Sequence, residues 1–113
     1  MDLKRENDYA SFNLEFIRKR DGDPTYNLSS GDSLGMITFS GWYDGQIEGV
    51  KIEAIVDGTV SGAEDMPGRV EISTTPDGEW DPVLRMTIDN AGNIKMGDGA
   101  WTNYVNIDNL GVL

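Results

Sequence analysis

A chain of 113 residues with nine basic and twenty acidic side chains carries a formal charge of −11, and its length fits one domain of roughly 100–150 residues. It has no cysteine and no histidine, which removes disulfides, thiolate metal sites, a thiol nucleophile, any Ser-His-Asp arrangement and the commonest transition-metal ligand. The acidity disfavours nucleic acid, whose phosphates require clustered Lys and Arg. No run approaches the roughly 18 apolar residues of a membrane span.

Apolar residues recur at period two in short runs bounded by Gly, Pro, Asp and Asn, which predicts about seven short strands and almost no helix. Residues 11–18 set Phe12, Leu14 and Phe16 on one face and Ser11, Asn13 and Glu15 on the other, although Tyr9, Phe12 and Phe16 also fit a helical stripe. Residues 20–35 read as a loop. Residues 36–40, between Gly35 and Gly41, form the next strand, followed by a turn at Asp44-Gly45. Residues 50–56 alternate most cleanly, with Val50, Ile52, Ala54 and Val56 inward and Lys51 and Glu53 outward. Asp57-Gly58 then opens a loop to Gly68 that contains Pro67.

The strand over 69–73 points Val70 and Ile72 inward. Thr75-Pro76-Asp77-Gly78 follows, with Pro at the second position of a type I turn and Gly at the fourth. Leu84, Met86 and Ile88 share a face, with Arg85 and Thr87 opposite. Asp89-Asn90-Ala91-Gly92-Asn93 then closes a tight hairpin if Gly92 takes the left-handed conformation. Ile94 with Met96, and Val105 with Ile107, complete the set. The chain is therefore expected to be all-β. Arg69 and Arg85, isolated cations beside strands, are expected to pair with carboxylates or carbonyls across strands or subunits.

Charge is unevenly spread. Residues 1–20 carry a net +1 and residues 21–113 a net −12. The acidic body reads either as a solvated face or as the exposed part of a module whose basic end, with Lys4, Arg5, Phe12, Phe16, Arg18, Lys19 and Arg20, attaches to an acidic partner. The competing reading makes residues 11–18 an ordinary core strand.

Carboxylates are the only plausible acid/base residues: Asp21 with Asp23, Glu64 with Asp65, and Asp77 with Glu79 and Asp81. Turn formation and solvation account for them more simply than a sugar-cleaving pair. Asp21-Gly22-Asp23 begins like a calcium loop but has Tyr26 at the sixth position and Asp32 at the twelfth, where glycine and glutamate belong. No catalytic residue, metal site or cofactor is expected. Trp42, Tyr43, Trp80 and Trp101 are candidates for subunit contacts, where Trp and Tyr are enriched, or for stacking on a sugar ring.

The run Gly31-Asp32-Ser33-Leu34-Gly35 continues through Met36-Ile37-Thr38-Phe39-Ser40-Gly41, Asp44-Gly45 and Ile52-Glu53-Ala54-Ile55-Val56-Asp57-Gly58. After it come Asp65-Met66-Pro67-Gly68-Arg69, Ser73-Thr74-Thr75-Pro76-Asp77-Gly78 and Leu84-Arg85-Met86-Thr87-Ile88-Asp89-Asn90-Ala91-Gly92-Asn93-Ile94. This succession, over about residues 8–97, resembles the repeated β-rich module of tailed-bacteriophage fibre and appendage proteins, especially those of phages infecting cyanobacteria.

The resemblance implies a small β-sandwich or β-prism-like module that assembles as a homotrimer in the virion and has no enzymatic activity. Its implied partners are other copies of itself, the major capsid protein or other virion proteins, and a host surface glycan as a further candidate. With Met1 as the natural start, the module stands alone, too short for a fibre shaft, and fits a capsid decoration or cement protein. Otherwise it is a segment of a tail fibre or spike, or a glycan-binding receptor module.

Overall fold

The computed structural model describes residues 14–20, 27–108 and 111–112. Seven strands follow in chain order: β1 (Ser33–Trp42), β2 (Gln46–Val56), β3 (Gly68–Thr74), β4 (Val83–Ile88), β5 (Ile94–Gly97), β6 (Tyr104–Asp108) and β7 (Gly111–Val112). Every strand pairs antiparallel with its sequence neighbour, so the sheet order is β1-β2-β3-β4-β5-β6-β7. The chain is all-β, as the alternation predicts. Its strands join one meandering sheet, however, rather than the expected sandwich or prism-like stack. Antiparallel hairpin connections explain this, because each returns the chain beside the strand just completed.

The turns obey local chemistry. Tyr43, Asp44 and Gly45 link β1 to β2, with Asp44 at φ 52° and Gly45 at φ 140°. Gly92 takes φ 85° and donates to Asp89 O at 3.0 Å, as a left-handed hairpin closure requires. The Asp89 carboxylate accepts from the Ala91 and Asn93 amides at 3.0 and 2.9 Å. The proline turn sits one residue later than expected: Glu79 N donates to Pro76 O at 3.1 Å, which makes Pro76 the first residue and Gly78, at φ 84°, the third.

The expected strand over 11–18 is not formed at 14–18, and residues 11–13 lie outside the described residues. Residues 14–20 are irregular and are tied to the β1 region through side chains. Phe16 occupies the space a side chain at Gly35 would fill, its Cβ 2.9 Å from where such a Cβ would sit. Arg18 Nη1 donates to Ser33 O at 2.6 Å, and Arg20 Nη2 reaches both oxygens of Asp32 at 3.2 and 3.1 Å. β7, only two residues long, was too short for periodicity to reveal.

One end of the sheet is stapled. Gly31 N donates to Val56 O and Val56 N to Asp32 O, each at 2.8 Å. Asp57 binds Arg69 through Oδ1 at 3.2 Å and the Asn90 amide through Oδ2 at 2.9 Å, while Asn90 Nδ2 donates back to Asp57 O. The buried hydrophobic side chains among the described residues are Leu28, Ile55 and Val56, of which Val56 at the end of β2 is fully buried.

Candidate interaction face

Three register shifts, between Ser33 and Gly35, Phe39 and Ser40, and Ile72 and Ser73, bound a stretch of uninterrupted pairing. Within it, the pairings line up apolar residues in unbroken cross-strand rows. One row runs Ile37, Ile52, Ile72, Met86, Met96, Val105; the next runs Gly35, Ala54, Val70, Ile88, Ile94, Ile107. At about 4.8 Å per strand, six strands extend about 24 Å. Neither row contains a charged residue. Leu84, expected beside Met86, aligns instead with Ser73, because the irregularity leaves Arg85 without a partner in the register.

This apolar face is largely uncovered by the described residues. Phe39 is 57% exposed, Val105 51% and Ile37 42%. Residues 14–16 cross only its β1 end, leaving a groove of about 450 Å³ lined by Leu14, Phe16, Gly35, Ile37, Ile52 and Ala54, among others.

The opposite face is finished by its own chain. Glu53 and Glu71 stand directly opposite each other, a repulsive placement offset by Lys51, 3.6 Å from Glu53, and Arg69, 3.0 Å from Glu71. The Glu71 and Asp57 carboxylates hold Arg69 more firmly charged than an ordinary arginine. At the Ile72/Ser73 irregularity, Arg85 donates to Thr74 Oγ1, in register with Val50 and Phe39, at 3.0 Å and to Asp98 O at 2.9 Å. Both arginines thus find the carboxylate or carbonyl partners expected of them, within one chain.

The loop after β5 completes this covering. The Lys95 ammonium lies 4.5 Å from both the Trp101 and Tyr104 ring centres, and those rings meet edge to face at 6.4 Å. Asp98 anchors the loop: Thr102 Oγ1 donates to its Oδ2 at 2.7 Å. That bond, then those from the Asn103 side chain and amide, push its carboxyl down to about 2.

Of the residues singled out from sequence, Lys4, Arg5 and Phe12 lie outside the described residues, as do Asp21 and Asp23 of the calcium-like segment. Phe16, Arg18 and Arg20 come together at the start of β1, where both arginines bond within the chain; Lys19 lies between them. Trp42, Tyr43 and Trp80 are 80%, 85% and 72% exposed. Trp80 borders a groove of about 320 Å³ with Gln46, Ile47, Glu48 and Asp81. Trp101 instead packs within the chain. Asp65 is spent on the Ser61 amide and hydroxyl, at 2.8 and 2.6 Å. Among the described residues, no group of His, Cys, Asp and Glu could hold a metal ion.

Sequence reasoning missed Gly35 as the seat of Phe16, and the rows themselves. Alternation marked the inward residues, but only the register aligns them. No family model matches the chain, and no curated protein matches it.

Proposed function

We propose that the chain is a non-enzymatic structural protein of a phage particle, a homotrimeric surface module that decorates or cements the capsid. The observation that carries this reading is the uncovered apolar face. A sheet with one apolar side needs a second layer against it, and the described residues supply none. The ordered motifs between residues 8 and 97 support the phage assignment, and the absence of His and Cys fits a role without catalysis. The basic residues near the start are the means of attachment to an acidic shell. The exposed Trp80, beside Gln46, Glu48 and Asp81, favours a second reading, a glycan-binding module at a fibre tip, since an aromatic plane flanked by planar polar side chains suits a sugar ring.

Quantitative mass spectrometry of purified virions tests the assignment. A decoration protein is present in copies comparable to the shell protein and rebinds particles stripped of it. Its absence from virions overturns the proposal. A few copies confined to tails favour the fibre reading.

A further inference from the structure

Building on the oligomeric reading above, we propose that further copies of this chain seat on the apolar sheet face, with Ile52, Ile72, Met86 and Met96 at the centre of the interface. The face has the chemistry of a subunit core. Its central row carries no charge or hydrogen-bonding side chain, so it offers a charged partner nothing to pair with. It is also a broad strip some 24 Å across rather than a slot, which suits another sheet better than a single peptide.

Charge placement favours a second copy in particular. Each chain carries −11, so two copies approaching at random repel. On the sheet, Glu53 and Glu71 pair with each other in register on the side away from the apolar rows. The apolar face is therefore the side on which identical chains meet without opposing these carboxylates.

Native methionines report on the face directly. Met96 is 37% exposed on the apolar face and Met66 51% exposed in the loop before β3, so an isolated chain oxidises both at similar rates. In the assembled protein, peroxide treatment followed by peptide mass spectrometry should show Met96 oxidising at least roughly tenfold more slowly than Met66. The two rates should converge on dilution to monomer. Ile72→Asp should shift mass photometry to the monomer, whereas Thr87→Asp, on the opposite face, should leave the oligomer intact.

Three results overturn the inference. An oligomer in which Met96 and Met66 react equally associates through another surface. A monomer with protected Met96 has this face covered by its own chain. A monomer with reactive Met96 leaves the face open to solvent. If Ile72→Asp does not fold, the methionine comparison on the unaltered protein still decides. A self-associating chain that is absent from virions sinks the virion assignment and leaves the interface standing.

Discussion

The two faces of the sheet are made from the same strands, yet they solve opposite problems. The charged face satisfies itself: Arg69 holds Asp57 and Glu71, Lys51 lies beside Glu53, and Trp101 folds back over Lys95. The apolar face is left incomplete, with Phe39 and Val105 more than half exposed. The difference separates what stabilises the single chain from what would drive the association proposed for it. Substitutions on the two faces should therefore affect different measurements.

The largest effect on the fold is expected from Arg69→Met, which leaves two partly buried carboxylates without their cation. The cost is about 2 kcal/mol, or roughly 10 °C in melting temperature for a chain of this size. Below the melting transition its sedimentation should remain that of the unaltered oligomer, and dissociation there would break the comparison. Phe39→Ser should do the reverse, weakening self-association about tenfold in a dilution series, near 1.4 kcal/mol, while the melting curve of the dissociated chain barely moves.

A smaller effect should follow Gly35→Val. A side chain there meets Phe16 Cβ at 2.9 Å and Cγ at 3.0 Å, so Phe16 must lift at a cost of about 1 kcal/mol. Trypsin should then cut more rapidly at Arg18, Lys19 and Arg20, and an unchanged rate would place the hold on these residues elsewhere.

The smallest concerns acid. The Asp98 carboxyl is lowered from an ordinary 3.8 to about 2 by its bonds from Thr102 and Asn103. Those of Asp32, Asp65 and Asp89 are lowered as well, chiefly by hydrogen bonds from Ser29, Ser61 and Asn93. A carboxyl whose pKa falls on folding stabilises the fold fully above its unfolded value, and that contribution disappears as pH drops through the folded value. The melting temperature should thus decline between about pH 4 and pH 2, and Asp98→Asn should flatten part of that decline.

Much of this molecule was legible in the sequence where a short pattern sufficed. The alternation from Val50 to Val56 lies within β2, and Gly92 closes its hairpin as its position implied. Reading failed where geometry depends on residues distant in the chain. Leu14 and Phe16 alternate like a strand, but Phe16 gains its place from Gly35, nineteen positions later, and enters no ladder. Leu84 looked equivalent to Met86 until the irregularity at Arg85 broke the alternation. Trp101 could not be assigned to either face, because its partner Lys95 is reached only through a loop in which Trp101 itself takes a positive φ of 58°.

The sequential strand order has a kinetic consequence. Because every pairing joins neighbours along the chain, no strand waits for a distant segment, and closing each hairpin loop takes well under a millisecond by general measure. The sheet can then grow hairpin by hairpin as the chain leaves the ribosome. Under the proposed self-association, what remains is an encounter between chains, whose rate depends on how many are present. Synthesis level would then set the lifetime of the half-finished species, with its apolar side open to the wrong neighbours.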